Sequence, residues 1–242
     1  MKEKINQILA NEQFYPSWLG LFVNPFYFAR KGLYENIRDL SPSITGKTLD
    51  VGCGTKPYQK LFTSSEYIGL EIDSDENRKN KNADYFYDGE KFPFPDHEFD
   101  CVIINEVLEH IFNPDTFLAE VYRVLKNQGK LLITVPFVWD EHEQPYDYAR
   151  YSSFGLKFLV EKHGFVTIEH RKSMADIRII FQLINAYLYK ITVTNKRLID
   201  LLITIVIMSP FNILGELLAL ILPKNKDLYL DNIVLLEKKL NG

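Results

Sequence analysis

Short apolar runs alternate with amphipathic stretches along most of the chain. The apolar runs lie at 47–51, 67–72, 101–105, 130–135 and 164–170, with a last one at 230–238. Short apolar runs bounded by turn residues are typical of strands buried in a parallel sheet. Apolar residues spaced three and four apart predict helices over 27–40, 114–125 and 153–162. Strands alternating with helices predict an α/β fold built from right-handed βαβ units.

The segment 174–223 departs from that rhythm. Residues 201–222 are nearly all apolar, with Glu216 as the single charge. A membrane-spanning helix needs about 20 apolar residues, and Pro210 is expected to divide this run into two helices too short to cross. Three interpretations stay open: a membrane span, a helical hairpin in the membrane interface, or a buried lid or dimer face. Basic residues flank the apolar run 201–222 and suit either an anionic lipid surface or solvated helix ends: Lys190, Lys196, Arg197, Lys224 and Lys226.

The composition of the 242 residues is that of an ordinary globular protein, with 46% hydrophobic residues and a net charge of −4. We predict one domain over 1–242, with an N-terminal helical segment at 1–45, a cofactor-binding core at 45–172 and a hydrophobic helical insertion at 174–223. The charge offers no broad electropositive surface for a nucleic acid, which we therefore exclude as a partner.

Cysteine usage and the N-terminus bear on location. Cys53 and Cys101 form no CxxC pair and have no histidines at zinc-ligand spacing, so we expect neither a metal site nor a disulfide framework. The N-terminus shows no apolar run followed by a cleavage site. We expect a cytoplasmic protein, with peripheral membrane contact through 197–223 and a homodimer as open alternatives.

A glycine turn follows the first apolar run, within the sequence Thr48-Leu49-Asp50-Val51-Gly52-Cys53-Gly54. Glycines allow a ligand to approach the backbone closely, and Asp50 places a carboxylate at the end of the strand. About twenty residues later the second apolar run reaches Glu71, where an acid can hold the two hydroxyls of a ribose. Asp73 is a second candidate for that role, although a surface position suits it equally. Together these features predict a nucleotide site.

The residues around the turn narrow the type of nucleotide. A dinucleotide fingerprint needs glycine or alanine where this chain has Pro57. Gly46-Lys47-Thr48 resembles the end of a phosphate-binding loop, but Ser41 replaces its first glycine and a strand follows instead of a helix. A glycine turn without these features suits a nucleoside ligand that lacks a pyrophosphate.

The chain resembles the class I S-adenosylmethionine-dependent methyltransferases, in particular type 11 methyltransferases of a bacterial subgroup linked to cell-envelope glycans. The motifs occur in the family's order, at 49–55, 67–71, 88–89 before 92–96, 99–110 and 120–126. The resemblance implies a Rossmann-like sandwich whose mostly parallel seven-stranded sheet has helices on both faces. A helical insertion would precede the last strand.

The resemblance also implies which residues bind S-adenosylmethionine. They surround its amino-acid part, ribose, adenine and methionine end in turn: Asp50, Gly52, Cys53 and Gly54; Glu71 and Ile72; Asp88 and Gly89; Asn105 and Glu106. Two departures from the family pattern stand out. Lys56 replaces a common third glycine and leaves the path of the loop open, and Asn127-Gln128-Gly129 replaces a distant Pro-Gly-Gly turn.

The loop 136–151 leaves the carboxyl end of the fifth predicted strand, where ligands bind in α/β sheets. His142 could act there as a general base, or it only orders the loop. Asp147 and Arg150 are expected to form an ion pair, and His110 to pack or to cap a helix. Aromatic residues in the loop could line a substrate or fill the core: Trp139, Tyr146, Tyr148 and Tyr151.

The sequence therefore predicts a methyltransferase acting on an oxygen of a small molecule, a glycan or a lipid-linked intermediate, with nitrogen or carbon as weaker alternatives. Two rivals remain. A nicotinamide-dependent oxidoreductase would bind NADH. A non-catalytic partner subunit would bind the cofactor yet turn over nothing until a second protein is added.

Overall fold

The structure is a computed structural model that describes residues 2–80 and 82–239. Its α-helices are α1 Lys2–Phe14, α2 Gly20–Val23, α3 Tyr27–Leu40, α4 Asp75–Asn80, α5 Pro114–Val124, α6 Ser153–Lys162, α7 Arg178–Thr192, α8 Arg197–Ile203 and α9 Ser209–Ala219. Its strands are β1 Thr45–Val51, β2 Thr63–Ile72, β3 Tyr85–Tyr87, β4 Phe99–Asn105, β5 Leu125–Pro136, β6 Phe165–Lys172 and β7 Asp231–Lys238. The helices predicted over 27–40, 114–125 and 153–162 are confirmed to within one residue.

Seven strands form one sheet in the order β3-β2-β1-β4-β5-β7-β6. The pairs β1–β2, β1–β4, β2–β3 and β4–β5 are parallel, which confirms the predicted α/β fold. Strand β3 was missed because its three residues are too few to form a recognisable run. The order reverses between β1 and β4, and ligands of open α/β sheets bind at the carboxyl ends of strands next to such a reversal.

The chain clusters into two compact units, which we describe separately. The sheet unit comprises 36–137, 141–171 and the described residues from 232 onward, and the helical unit comprises residues 2–35, 138–140 and 172–231. The extent 1–242 given to a single methyltransferase domain stays a prediction. In the sheet unit, apolar side chains of β1, β4, β5 and α5 form a buried core, with Leu49, Val102, Leu118 and Ile133 fully covered.

In the helical unit, residues 197–219 form one helix, in which a π-helical turn at Thr204–Met208 joins α8 to α9. The expectation that Pro210 would divide this run into two short helices was wrong. Pro210 directly follows the π turn, and the Ser209 hydroxyl donates to the Ile205 carbonyl at 2.7 Å, so this carbonyl does not depend on the N–H that proline lacks. The wider spacing of the π turn also relieves the crowding that a proline ring causes.

The 197–219 helix is long and apolar enough to cross a membrane, by length and composition only, and 28% of its most apolar stretch is buried. Its inner face packs within the helical unit. Asn185 Nδ2 donates to Oδ1 of Asn212 at 2.9 Å, and Gly215 lies so close to Phe28 that an added Cβ would be 2.7 Å from the ring. These contacts fix the helix to its own unit.

Candidate functional site

The glycine turn after β1 has the backbone that the sequence predicted. Gly52 and Gly54 have φ of +68° and +53°, a region that favours glycine. A Cβ on Gly52 would lie 2.4 Å from Cγ2 of Val107, so packing alone requires glycine there. A Cβ on Gly54 would meet nothing within 4 Å. Gly54 therefore faces open space that a ligand can enter.

The structure shows the path of the loop at Lys56, the residue that departs from the family pattern. Its φ is 55°, so the turn keeps a left-handed residue at this position without glycine. The side chain is only 6% exposed, forms an ion pair with Asp84, and fills the space above Gly69. Burial opposes ionisation of Asp84, but the Gly69 N–H and the Lys56 ammonium outweigh it and lower the pKa of that carboxyl. The Lys56 side chain therefore supports the glycine turn through its contacts with Gly69 and Asp84.

Asp50 is buried at the end of β1 and accepts a hydrogen bond from the Tyr67 hydroxyl at 2.7 Å. Burial raises the pKa of Asp50 to about 7, although Tyr67 and Lys56 act in the opposite direction. Tyr67 belongs to the second motif, but its role was not predicted. Burial also raises the pKa of Cys53 to about 12, so this thiol is not a nucleophile near neutrality.

Glu71 is buried at the end of β2 and touches the glycine turn directly. Its Oε2 accepts a hydrogen bond from the Gly54 N–H at 3.0 Å, and its Oε1 accepts one from Ile72 at 3.2 Å. The predicted ribose carboxylate therefore lies beside the open turn, next to Ile72. Asp73, the second candidate, instead forms an exposed ion pair with Arg78 at 2.6 Å.

Asp88 and Gly89 form a tight turn after β3. Oδ1 of Asp88 accepts hydrogen bonds from the backbone of Glu90 at 2.9 Å and Lys91 at 3.3 Å. These bonds lower the pKa of Asp88. Gly89 has φ +93°, a value that only glycine adopts readily. The predicted adenine contact is thus an ionised, exposed carboxylate on a fixed turn.

Asn105 and Glu106 end β4, next to Thr134 of β5. Thr134 donates its hydroxyl hydrogen to Oδ1 of Asn105 at 2.8 Å, and the Glu106 N–H donates to the Thr134 carbonyl at 3.0 Å. Glu106 has φ 53°, an uncommon conformation for a side-chain-bearing residue. Thr134 fixes both predicted residues, and nothing in its own sequence pattern marked it.

His142 lies in the loop after β5, beside the ion pair that the sequence predicted. Arg150 donates to both carboxylate oxygens of Asp147, at 2.6 and 2.7 Å, and this guanidinium lowers the pKa of Asp147 to about 2. Nδ1 of His142 is 3.3 Å from Oδ2 of Asp147. The imidazole is therefore oriented by an ionised carboxylate, and the Asp147–Arg150 prediction is confirmed.

Two more polar side chains meet His142, an arrangement that the sequence did not predict. The ring centres of His110 and His142 are 4.8 Å apart, and Glu109 lies fully buried beneath them. Burial lowers the pKa of His110. Of the two roles expected for His110, packing is confirmed by its ring contact with His142, whereas capping was wrong, because Asn113 caps α5 and His110 faces the Tyr146 carbonyl at 2.7 Å. Chain proximity linked Glu109 to His110, but no pattern linked either to residue 142.

The aromatic residues of the loop divide between two roles. Trp139 packs against Phe26 within the helical unit, and Tyr151 packs against the core of the sheet unit. Tyr146 and Tyr148 are exposed, and Tyr148 packs edge-on against Phe112. Of these four aromatic residues, Tyr146 and Tyr148 are exposed, whereas Trp139 and Tyr151 are partly buried.

The sheet unit thus collects two sets of groups at the carboxyl ends of its strands. The first is an open glycine turn with Asp50 and Glu71 beside it. The second is the polar loop around His142, which is joined to the segment after β4 because Tyr148 N–H donates to the Glu109 carbonyl at 2.8 Å. The first set fits a nucleoside with a cationic group, and the second fits proton transfer from an acceptor.

Comparisons with known proteins agree with this geometry. A family model described as a methyltransferase domain matches residues 49–133. The chain is 44% identical over 116 residues to the ubiquinone/menaquinone biosynthesis C-methyltransferase UbiE of Paraburkholderia phymatum. The matched region covers 42% of this chain and 48% of that protein. The chain spans about half the length of the curated relatives it matches.

Solved structures share the fold at low sequence identity. Phosphoethanolamine N-methyltransferase 2 of Haemonchus contortus, solved with S-adenosyl-L-methionine, has a TM-score of 0.54 and 18% identity, over 95% of this chain and 59% of that one. A SAM-dependent methyltransferase of Archaeoglobus fulgidus has a TM-score of 0.55 and 20% identity, over 92% of this chain and 100% of that one. At such identities the likeness concerns the fold alone.

Proposed function

The chain belongs to the class I S-adenosylmethionine-dependent methyltransferases, and from that premise we propose that it methylates an oxygen of a small molecule, glycan or lipid-linked acceptor. The observation that carries the proposal is the imidazole of His142, held by the ionised Asp147 in a loop joined to the strand end that carries Asn105 and Glu106. Methylation of an alcohol needs a proton acceptor, whereas methylation of a thiolate does not.

The proposed reaction is an in-line displacement. The bond between sulfur and the methyl carbon breaks, its electron pair stays on sulfur, and S-adenosylhomocysteine leaves as a neutral thioether. A bond forms between the methyl carbon and the acceptor oxygen, while the hydroxyl proton passes to Nε2 of His142. The protein contributes alignment, exclusion of water and the proton acceptor.

The cofactor half of the site fits S-adenosylmethionine on two observations. Gly54 faces open space that a side chain would occupy, and the carboxylates of Asp50 and Glu71 lie at the same strand ends, suited to the ammonium group and the ribose hydroxyls. In our proposal Asp88 accepts the adenine amino group, and Asn105 and Glu106 line the methionine end. The cofactor supplies an electrophilic methyl group when it is bound.

Calorimetric titration with S-adenosylmethionine, S-adenosylhomocysteine and NADH tests the cofactor. We expect the first two to bind and NADH not to bind. Glu71→Ala should weaken binding by about 1 to 3 kcal/mol, the range for losing hydrogen bonds to a charged group. Asp73→Ala is the matched control, since its carboxylate pairs with Arg78, and should bind as tightly as the wild type. Binding of NADH alone would revive the oxidoreductase.

The acceptor atom is identified with 13C-methyl-labelled cofactor and soluble and lipid extracts as acceptors. The chemical shift of the transferred carbon separates O-methyl from N-methyl and C-methyl products. The match to the methyltransferase-domain family ends at residue 133, before the loop that carries His142, so this match supports the cofactor half of the proposal rather than the acceptor. A C-methyl product would nevertheless overturn the oxygen assignment.

We further propose that the protein is cytoplasmic and contacts an anionic membrane surface through 197–223, where a lipid-linked acceptor would be found. Several apolar side chains on this segment are more than half exposed: Leu202, Val206, Leu217, Leu220 and Ile221. Lys196 and Arg197, both exposed, lie at the start of this helix. Because its inner face is held by Asn185 and Phe28, peripheral contact fits better than a span, which would break those contacts.

Flotation with phosphatidylglycerol and phosphatidylcholine vesicles tests this contact. We expect binding to the anionic vesicles, weakened by the triple change of Leu202, Val206 and Leu217 to Ser. The matched control changes Phe154 and Phe158, which are equally exposed but lie on α6 of the sheet unit, and should leave binding intact. Equal losses in both variants would contradict a dedicated membrane face, and a shift from dimer to monomer in the triple variant would instead indicate a dimer interface.

A further inference from the structure

Glu109, His110 and His142, which we call the His–Glu cluster, provide the donor atoms of a divalent-metal site. Oε1 of Glu109 lies 3.7 Å from Nε2 of His110 and 3.9 Å from Nε2 of His142. The ligand atoms of all three side chains lie within 4.8 Å of one another. Donors bound about 2.0–2.2 Å from one ion are about 3–3.5 Å apart. Small side-chain rotations therefore bring this set onto a single ion.

The second nitrogen of each imidazole faces an oxygen, as it does in metal-binding histidines. Nδ1 of His110 is 2.7 Å from the Tyr146 carbonyl, which can only accept a hydrogen bond. Nδ1 of His142 is 3.3 Å from the carboxylate of Asp147. These acceptors assign the ring proton to Nδ1 in both residues, so Nε2 keeps the lone pair that binds a cation. Both Nε2 atoms point to Glu109.

The cluster is also held in place before any ion arrives. Glu109 and His110 lie in a short 3-10 turn, Leu108–His110, directly after β4. The loop that carries His142 is joined to this turn, because the N–H groups of Tyr148 and Ala149 both donate to the Glu109 carbonyl, at 2.8 and 3.2 Å. Burying a carboxylate is costly unless a cation or hydrogen-bond donors offset its charge. A rigid, buried carboxylate between two imidazoles suits a metal ligand.

We propose that the His–Glu cluster binds one divalent transition-metal ion and that this ion binds the acceptor's hydroxyl oxygen. The inference rests on the proposed oxygen methylation and deepens it. Two imidazoles and a carboxylate suit zinc, manganese, iron(II) or cobalt, and three protein ligands leave positions open for the acceptor. The proposal replaces the expectation, based on cysteine spacing, that the chain has no metal site.

The ion changes where the acceptor's proton goes. A hydroxyl bound to a divalent cation ionises more readily, so its proton passes to water and the alkoxide oxygen stays on the ion. That oxygen then forms the bond to the methyl carbon as the carbon–sulfur bond breaks. His142 acts as a ligand in this scheme and no longer accepts the proton directly.

Binding is measured on the full chain after chelator treatment, by titration with Co2+ followed by visible absorption and calorimetry. We expect one Co2+ per chain, displaced by Zn2+. His110→Ala and His142→Ala should each lower affinity by more than about 10-fold, since even outer-shell changes cost that much at metal sites. His163→Ala is the matched control. His163 is also paired with a carboxylate, Asp115 at 2.7 Å, but lies outside the cluster, so its loss should not affect binding.

A measurement without variants guards against loss of folding. In the 15N spectrum of the wild type, whose histidines number five, Zn2+ should shift the ring signals of His110 and His142 and leave the other three in place. Absence of saturable Co2+ binding, or shifts at other histidines only, would overturn the metal site. Cofactor binding and metal-independent methylation would then leave the proposed function standing. Metal binding without any cofactor binding would remove the proposed function and keep the site.

Discussion

The sheet unit and the helical unit differ in where they keep their apolar side chains. In the sheet unit the central strands β1, β4 and β5 bury their apolar side chains, and Ile104 of β4 is fully covered. In the helical unit the 197–219 helix covers one face and leaves Leu202 and Val206 on the other more than half exposed. Similar residues therefore stabilise the sheet unit by burial, whereas in the helical unit many remain available for contact with another surface.

The largest expected effect comes from truncating the same kind of side chain in both units. Ile104→Ala removes buried methyl groups from β4 and should lower the free energy of unfolding by about 2 to 5 kcal/mol. Leu220→Ala, whose side chain is 81% exposed, should change it by less than about 0.5 kcal/mol. Urea unfolding measures both. Equal losses would mean that the exposed helical face is covered in the free protein.

A smaller effect is expected at the glycine turn. Gly52→Ala forces a left-handed conformation on a residue with Cβ and drives that atom against Val107, at a cost of about 2 to 4 kcal/mol. Gly54→Ala places its Cβ in open space, so only the left-handed backbone conformation is unfavourable, by about 1 to 2 kcal/mol. Both variants should bind S-adenosylmethionine more weakly in calorimetry. A Gly54→Ala protein with wild-type affinity would contradict the ligand position.

Features set by local sequence could be predicted, and features set by distant contacts could not. Helical periodicity gave α3, α5 and α6 with accurate ends, because each helix has a regular apolar face. Strand β3 has no such pattern, since three residues are too few. Pro210 was misjudged because a proline inside an apolar run predicts a break, whereas here a π turn precedes it and the helix continues to Ala219.

The same division applies to the candidate site. The predicted cofactor residues Gly52, Gly54 and Glu71 lie in two motifs at the ends of neighbouring strands, so the sequence already placed them near one another. The His–Glu cluster joins residues 109–110 to residue 142, and only the loop geometry brings them together. Lys56 shows a third case: its departure from glycine was visible, but the ion pair between its buried side chain and Asp84 was not.

The third prediction, after those for Ile104 and the glycine turn, concerns how the stability of the sheet unit depends on pH. Burial raises the pKa of Asp50 to about 7, against an ordinary value of 3.8. The folded state therefore holds this proton more tightly than the unfolded state. The resulting stabilisation is fully present below about pH 4 and is lost as pH rises through 7.

Between about pH 5 and 7, the wild type without cofactor should lose about 1 to 3 kcal/mol relative to Asp50→Asn. The asparagine still accepts the hydrogen bond of Tyr67 but does not ionise. Urea unfolding of both proteins across this range gives the difference. Parallel pH profiles would show that Asp50 is ionised in the folded protein well below pH 7.

The smallest expected effect tests whether charges hold the helical unit together. Lys31 lies 2.6 Å from Glu216, and both side chains are about a quarter exposed, so solvent screens the pair and it should contribute less than about 1 kcal/mol. Glu216 also lies 3.6 Å from Arg178.

A double-mutant cycle with Lys31→Met and Glu216→Gln, followed by urea unfolding, measures the coupling energy between the two side chains. A small coupling energy would mean that apolar packing of the inner helix face is the main source of stability. The exposed face would then contribute little to folding. A coupling above about 2 kcal/mol would mean that charge pairing holds the helix, and the contrast between the two units would then rest on electrostatics as much as on burial.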